Sequence, residues 1–319
     1  MTLGASVNEV LAGLQLRDTF RTLFAGELLT CGVGWPRRVR AERAIDWLRE
    51  PDVVVELTRS LPSEAFALAL VVHGDGGARL CDRLLGAPST SGVASRSGRP
   101  SEAECGVLAY AAARLAAAHG DAWLVRDVRP AALPGGGAQS LVLWPIAVEC
   151  TTGSFELTLC LSPSLADALP DVLLEVVLHE QLPPDQAQPM LAVGEVWVSD
   201  QLPLTDTSEG LTGPVTLRAP GSAHLASARL GARYVRLRAS DDLQRAPHAS
   251  AVAGGPQIEL VIARRALSFS ALAALASGAR CFVGELGQEP VLLRQGGNTL
   301  ARGELVLWRA ALGVRLTET

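Results

Sequence analysis

The sequence contains no lysine, so all 28 of its basic residues are arginine. A Walker A phosphate loop, a protein-kinase strand and a pyridoxal Schiff base each depend on a lysine side chain. The missing lysine therefore excludes these three kinds of nucleotide-dependent or cofactor-dependent protein.

Long hydrophobic runs are also missing. The longest is AFALALVV at residues 65–72, which is far shorter than the roughly 20 apolar residues of a membrane-spanning helix. The N-terminus, MTLGASVNEVL, has neither the basic region nor the apolar core of a secretory signal. We therefore expect a cytoplasmic protein with no direct membrane insertion.

Aromatic residues and basic charge are scarce. Aromatics make up 4% of the chain and hydrophobic residues 48%, and the formal net charge is −5. This composition predicts a folded chain with an aliphatic core. Because an acidic chain presents no general basic field, we expect no nucleic-acid partner.

Patterns of catalytic and metal-binding residues are absent as well. The six cysteines form no CxxC pair and have no histidine at ligand spacing, and no GxSxG, HExxH or EF-hand pattern occurs. His73 and Asp75 stand together in HGDGG, which is better explained as a turn after a strand. We therefore expect buried reduced thiols, no metal, no cofactor and no enzyme activity.

Residues 1–184 predict one α/β domain. Short aliphatic segments bounded by turn formers, such as DVVVELTRSL and AFALALVVHG, are typical of strands, and WLVRDVRP, SLVLWPIAVEC and SFELTLCLS predict antiparallel strands. Helices are predicted at residues 76–86 and at 102–118, where Ser101 and Glu104 form a capping box.

Two shorter β-rich segments follow at residues 190–240 and 258–319, separated by a linker at 241–257. LPLTDTSEGLTG in the first segment has a counterpart, LSFSALAALASG, 65 residues later in the second. A strand precedes each stretch (GEVWVS and IELVIA), and each segment closes on VRL. This common order of elements predicts an internal duplication. The alternative is an ordinary β-rich domain in which the similarity of the two stretches is coincidental.

Each repeated unit is short, at about 55 to 60 residues, and buries too little apolar surface to be stable alone. In GELVLWRA, residues 303–310, apolar side chains fall on both faces of the predicted strand, as in a strand covered on both sides. The units are therefore expected to bury each other within one chain or to pair with units of a second chain.

Three motifs near the end of the chain carry a resemblance to a known domain. They are Pro290 and Val291, Ala-Arg-Gly-Glu-Leu at 301–305, and Gly-Val-Arg-Leu-Thr-Glu at 313–318. Through them, residues 258–319 resemble the SpoA domain of the flagellar switch proteins FliM and FliN and of the SctQ/YscQ/SpaO/HrcQ proteins of type III secretion.

The resemblance extends more weakly to the rest of the chain. Residues 190–240 are similar to a divergent SpoA domain. ALALVVHGDGGARLCDRLLG and PSEAECGVLAYAAARL are similar to the CheC-like domain of FliM and SctQ. The implied fold class is α+β, with an N-terminal CheC-like/SctQ α/β domain followed by two small β-rich SpoA domains.

The chain departs from these relatives at two points. CheC-type phosphatases carry a Glu-x-x-Asn pair, whereas Asn8 and Asn298 are the only asparagines here and neither stands three residues after a glutamate. FliM begins with a peptide that binds phosphorylated CheY, and SVNEVLAGL is better explained as a plain capped helix. We therefore favour the SctQ type, with a FliM/FliN-type motor switch protein controlling rotation or export as the alternative.

The resemblance implies a structural adaptor in the cytoplasmic ring, or sorting platform, of a type III secretion system at the cytoplasmic face of the inner membrane. The implied partners are an SctL-like stator protein, the SctN ATPase through that stator, SctK/SctD-like ring components, and further SpoA domains. Secretion chaperones are additional candidates.

The interface between SpoA domains is expected to use apolar residues of the last segment. A Leu305→Asp change there is expected to cost several kcal/mol because it would bury an unpaired charge. Arg302 and Arg315 are candidates either for ion pairs across the interface or for exposed surface. The predicted apolar residues are Leu267, Phe269, Leu275, Val291, Leu293, Leu305 and Leu307.

Overall fold

The computed structural model describes residues 20–22, 28–44, 48, 52–59, 68–73, 76–86, 101–117, 123–130, 140–151, 153–181, 191–198, 203–219, 225–237, 257–284, 286–287, 289–308 and 311–319. These residues are mostly β-strand with few helices, and they form two sheets. The N-terminal segment SVNEVLAGL and the linker 241–257, except for its last residue, lie outside the described residues.

Seven antiparallel strands form the first sheet within the described part of the chain. They are β1 (Leu28–Val33), β2 (Arg37–Arg40), β3 (Val53–Arg59), β4 (Leu68–Val72), β5 (Trp123–Pro130), β6 (Ser140–Cys150) and β7 (Gly153–Leu161). Their order is β1-β6-β7-β4-β3-β5, with β2 beside β6. The five strands predicted from sequence in this region are confirmed.

Helices lie on both faces of the first sheet. A short helix α1 (Ala41–Ala44) follows β2, whereas α2 (Gly76–Leu84) and α3 (Glu102–Ala117) correspond to the two predicted helices. Helix α1 lies on one face of the sheet, and α2 and α3 lie on the other. At the start of α3, the Ser101 N–H donates to Glu104 Oε2 at 2.7 Å and the Glu104 N–H donates to Ser101 Oγ at 3.3 Å. These reciprocal bonds confirm the predicted capping box.

Eleven antiparallel strands of the described ranges form the second sheet. They are β8 (Val172–Gln181), β9 (Val196–Val198), β10 (Thr205–Thr207), β11 (Gly210–Arg218), β12 (Leu225–Gly231), β13 (Tyr234–Leu237), β14 (Gln257–Leu267), β15 (Arg280–Phe282), β16 (Val291–Gln295), β17 (Asn298–Trp308) and β18 (Ala311–Glu318). The order is β15-β13-β12-β11-β8-β14-β16-β17-β18-β9, with β10 beside β11. Helices α4 (Pro163–Asp167) and α5 (Phe269–Ala276) precede β8 and β15.

The second sheet begins earlier in the chain than the boundary at residue 184 that the sequence indicates. β8 lies at the centre of that sheet, between β11 and β14. Its Val176 and Val177 point to opposite faces, yet each is at most 1% exposed. A strand that is apolar on both faces fits the middle of either sheet. The hydrophobic periodicity of β8 therefore does not show which sheet the strand belongs to.

The two sheets contact each other through α5. The Phe269 ring packs edge-on against Trp144 of β6, with ring centroids 4.7 Å apart and planes at 66°. Ser277 Oγ, just after α5, donates to the Arg38 carbonyl oxygen at 2.6 Å. Most of the buried apolar residues of the two sheets accordingly form one continuous core.

Candidate functional site

The strand pairings divide the second sheet into two equivalent halves. Repeat A consists of β8, β9, β11, β12 and β13, and repeat B consists of β14, β15, β16, β17 and β18. In each repeat the long first strand pairs with the first strand of a three-stranded meander (β8–β11 and β14–β16), and β8 pairs with β14. A pseudo-twofold axis therefore lies between β8 and β14.

Each repeat contributes its short second strand to the other repeat. β9 of repeat A pairs with β18 of repeat B, and β15 of repeat B pairs with β13 of repeat A. The two repeats are thus intertwined within one chain, and neither completes its half of the sheet alone. This arrangement overcomes the small size of each unit.

A short sequence match fixes which residues are equivalent. Residues 214–218 (PVTLR) and 290–294 (PVLLR) occupy the same place in β11 and β16. The repeat therefore starts at β8, and GEVWVS, which the sequence aligns with IELVIA, instead contains β9, the counterpart of β15. The alignment at an offset of 65 residues was wrong because it matched the helix α5 with β10 and the start of β11.

Four charged side chains meet across the pseudo-twofold axis on one face of the sheet. We call Glu175, Arg218, Glu259 and Arg294 the junction cluster. In register, Glu175 lies opposite Arg218 and Glu259 lies opposite Arg294, so the two glutamates are equivalent positions. Charged residues of both repeats therefore converge where β8 and β14 join.

Both arginines of the junction cluster reach into the other repeat. Arg218 Nη1 lies 2.5 Å from Glu259 Oε2, and Arg294 Nη1 lies 2.9 Å from Glu175 Oε1. Arg218 also binds Glu175 Oε2 through Nε at 3.0 Å and Nη2 at 2.9 Å. The Glu175 side chain is 1% exposed, so its charge depends on these partners.

Burial of Arg218 by itself lowers the pKa of its guanidinium. The hydrogen bonds and charges of Glu259 and Glu175 outweigh that effect, and the resulting pKa is raised. Arg218 therefore stays charged at every physiological pH, and the junction cluster keeps its ion pairs.

His179 of β8 lies beside the junction cluster, opposite Glu259. Both of its ring nitrogens are buried, and neither has a hydrogen-bond partner among the described residues. Burial is the largest influence on the pKa of the His179 imidazole and lowers it. The charge of Glu259 raises this pKa and the charge of Arg218 lowers it, and the net result is a lowered pKa. The ring is therefore neutral at neutral pH.

The predicted interface residues divide into three groups in the structure. Leu267 and Leu305 are partly buried against the core, and Leu307 is 56% exposed. Phe269 packs on the first sheet, so its contact with Trp144 joins the two sheets. The other members of the predicted set, which are at most 1% exposed, are Leu275, Val291 and Leu293.

The two predicted interface arginines lie within repeat B. Arg302 Nη1 is 3.4 Å from Glu318 Oε2, and both side chains are more than half exposed. Arg315 is exposed and lies opposite Glu304 in the register of β17 and β18. The arginines that do bind glutamates of the other repeat, Arg218 and Arg294, were missed. Their signal in the sequence was the repeated PVxLR pattern.

Gly303 gives the Ala-Arg-Gly-Glu motif a structural reason. The register of β17 and β18 shifts between Arg302 and Gly303. A Cβ at Gly303 would overlap the Arg315 carbonyl oxygen and lie 2.6 Å from Val314 Cγ1. Only glycine allows the two backbones to approach this closely.

A second polar arrangement joins three strands of the first sheet. The His73 ring binds Asp52 Oδ2 through Nδ1 at 3.0 Å and Thr158 Oγ1 through Nε2 at 2.8 Å. An acid, an imidazole and a hydroxyl in this order resemble a nucleophilic triad, but Thr158 is only 4% exposed. A hydroxyl buried to that extent offers no access to a substrate, so the three residues act as a structural link.

The cysteine thiols lie within or at the edge of the core. Cys81, Cys150, Cys160 and Cys281 are buried, and Cys31 and Cys105 are partly buried. Burial raises the pKa of the Cys81 and Cys160 thiols to about 12, which keeps them protonated and unreactive. The described residues include no group of three side chains suited to hold a metal ion.

No helix in the described ranges is long and apolar enough to cross a membrane.

No protein-family model and no curated protein matches the sequence. Among solved structures, the chain is similar to one in the FliM–SpeE complex from H. pylori (10% identity, 48% of this chain and 83% of that chain, TM-score 0.40). It is also similar to Thermotoga maritima FliY (12%, 50% and 89%, TM-score 0.40) and to the chemotaxis protein CheX from Vibrio vulnificus (11%, 48% and 97%, TM-score 0.28).

Proposed function

We propose that the chain is a scaffold subunit of the cytoplasmic ring, or sorting platform, of a type III protein secretion system. In this role the chain is an adaptor and not an enzyme. The two repeats act as paired SpoA domains and form one rigid docking unit, which the first sheet anchors to the rest of the ring.

The exchange of β9 and β15 between the repeats carries this proposal. A unit that completes its sheet with a strand from a neighbouring unit depends on association with that unit. The SpoA-like motifs at residues 290–291, 301–305 and 313–318 lie in repeat B, and Gly303 is required there by close packing. Residues 313–315 of the last motif pair with β9 of repeat A, so this motif supports both the resemblance and the pairing of the repeats.

The proposed partners follow from the ring assignment. They are an SctL-like stator protein, the SctN ATPase through that stator, SctK/SctD-like ring components, and further SpoA domains. The proposed location is peripheral, at the cytoplasmic face of the inner membrane.

The test is deletion of the gene in its host, followed by an assay of protein export and of swimming. Loss of effector export with normal swimming supports the secretion ring, provided that the tagged chain restores export and co-purifies with a stator protein and its ATPase. Unchanged export and swimming would contradict the proposal.

The alternative is a flagellar switch protein of the FliM/FliN type. Loss of swimming in the same deletion strain would favour it, as would binding of phosphorylated CheY to a peptide of residues 1–20. Effector export measured in parallel separates the two systems.

A further inference from the structure

A row of three arginines crosses one end of the second sheet. Arg229 of β12 lies opposite Arg236 of β13, which lies opposite Arg280 of β15. All three side chains are exposed. Because neighbouring strands are about 4.8 Å apart, the three side chains start within roughly 10 Å of one another. We call these residues the arginine row.

The arginine row has no counter-charge within the described part of the chain. Neither an ion pair nor a hydrogen bond to any described carboxylate involves Arg229, Arg236 or Arg280. Like charges directly opposite each other on a sheet are destabilising. The row therefore opposes folding slightly, and an acidic ligand would relieve this repulsion.

Repeat B provides an internal comparison. The VRL tripeptides make Arg236 and Arg315 equivalent, and the pairings of Arg315 are with Glu304 in β17 and Val196 in β9. The same row in repeat B therefore holds one acid, one base and one apolar residue. Only the repeat A end has diverged to three positive charges, although the whole chain has a net charge of −5.

An exposed aromatic pair lies beside the arginine row. Tyr234 of β13 and Phe282 of β15 lie opposite each other on the same face, two residues along from Arg236 and Arg280. Their ring centroids are 5.3 Å apart with planes at 61°, and they are 46% and 55% exposed. The equivalent pair in repeat B is Gly313 and Val198, so this feature is also confined to one end.

β15 is the outermost strand at this end of the sheet among the described residues. The Val283 N–H donates to the Arg233 carbonyl oxygen at 2.8 Å, so the backbone hydrogen-bonding groups of Val283 point toward β13. Since backbone groups alternate along a strand, those of Arg280 and Phe282 point to the open edge. An extended segment can add there as a further strand.

We propose that the open edge of β15 binds an extended acidic segment of a partner protein. The segment adds as a strand, with an acidic residue facing the arginine row and, two residues away, an apolar residue facing Tyr234 and Phe282. The three charges span only a short row, and the two rings already pack on each other. Both features suit a short peptide better than a nucleic-acid backbone. This inference does not depend on the ring assignment.

The probe is a fluorescein-labelled nine-residue peptide with threonine at odd positions and alternating glutamate and valine at even positions. Its binding to the full chain is followed by fluorescence anisotropy, and we expect binding that weakens as salt is added. A peptide with glutamine in place of glutamate is expected not to bind. Equal binding of the two peptides would overturn the proposal.

Protein variants separate the site from the fold. Alanine at Arg280, next to the added strand, is expected to weaken binding about twofold to fivefold, the range of an exposed ion pair. Alanine at Arg236 or Arg229 is expected to weaken binding progressively less, because these residues lie one and two strands farther away. Arg302→Ala is the matched control at the other end of the sheet and should leave binding unchanged. Arg280→Glu reverses the charge nearest the added strand and places a glutamate opposite Arg236, so it should abolish binding while the unfolding midpoint stays the same or rises. Normal binding by Arg280→Glu would refute the site.

Two further probes test the mode of binding. N-methylation of alternate peptide amides should block binding on one edge of the peptide and spare it on the other, because only one edge faces β15. Equal binding by both methylated peptides would overturn strand addition. Tighter binding of a single-stranded oligonucleotide or of phosphatidylserine vesicles, lost in Arg280→Glu, would replace the acidic peptide with a polyanion of that class.

Discussion

Val177 and Val261 lie directly opposite each other in the register of β8 and β14, and they are also equivalent positions of the two repeats. Counting two residues on from the equivalent pair Glu175 and Glu259 leads to both valines. The pseudo-twofold axis therefore passes through this pair, which is at most 1% exposed. On either side of it, each repeat's arginine binds a glutamate of the other repeat, so the charges and the apolar contact depend on one alignment of β8 against β14.

The buried glutamate of the junction cluster is expected to be critical for stability. Glu175→Gln leaves Arg218 and Arg294 short of negative charge in a buried position, which typically costs about 3 kcal/mol or more. The matched control is Glu318→Gln, because the pair of Glu318 with Arg302 is exposed and should contribute less than about 1 kcal/mol. Urea unfolding of the two variants measures the difference, and similar costs would show that the junction cluster has no special role.

Gly303 is expected to tolerate no side chain. Gly303→Ala forces the new Cβ against the Arg315 carbonyl and Val314, so β17 and β18 must separate, at a cost of roughly 2 to 4 kcal/mol. Gly231→Ala is the control: its Cβ would meet no atom within 4 Å, and the change should be nearly neutral. Thermal unfolding compares the two, and a Gly303→Ala protein as stable as the wild type would refute the close approach.

The stability of the chain should depend on the protonation of His179. Its pKa in the folded state lies below the ordinary value of about 6.5, mainly because burial disfavours the charged ring. The unfolded chain then binds the proton more readily than the folded chain. The contribution of neutral His179 to the free energy of unfolding is therefore present in full above about pH 6.5, and it decreases as the pH falls toward the lowered pKa.

His179→Leu should remove this dependence. The variant keeps an apolar body between β11 and β14 and loses the buried unpartnered nitrogens. Urea unfolding of wild type and variant between about pH 7.5 and pH 5.5 is expected to give a smaller slope for the variant. Parallel curves would contradict the assignment to His179.

Leu305 and Leu307 should respond differently to the same change. Leu305 packs against the core, whereas Leu307 is 56% exposed. Leu305→Asp is expected to cost about 2 to 3 kcal/mol because a charge replaces a partly buried apolar side chain. Leu307→Asp should cost under about 0.5 kcal/mol, as at other surface positions. Unfolding curves in which Leu307→Asp is the more damaging change would show that Leu307 is buried in an assembly.

The sequence predicted local features better than the pairing of distant strands. The helix starting after Ser101 was predictable because a capping box is local, and β3 and β4 were predictable because their aliphatic runs are short and bounded by turns. The position of β8 was not, since Leu174 and Val177 are buried on opposite faces and such a strand carries no signal of its neighbours.

The junction cluster was missed for a related reason. Isolated glutamates and arginines are ordinary surface residues in a sequence, and Glu175 and Arg294 become partners only when two strands far apart in the chain meet. The repeated PVxLR at residues 214–218 and 290–294 was the available clue, because the same arginine ends both copies.

Pairing of the two repeats within one chain is the central claim, and the most direct measurement is the unfolding midpoint of the full chain as a function of its concentration. Light scattering run in parallel identifies the species at each concentration. Across about a hundredfold range, intramolecular pairing requires a folded species of 33.4 kDa whose midpoint does not change. A chain that folds only as a dimer, with a midpoint that rises with concentration, would mean that β8 and β14 pair between chains and would contradict the account.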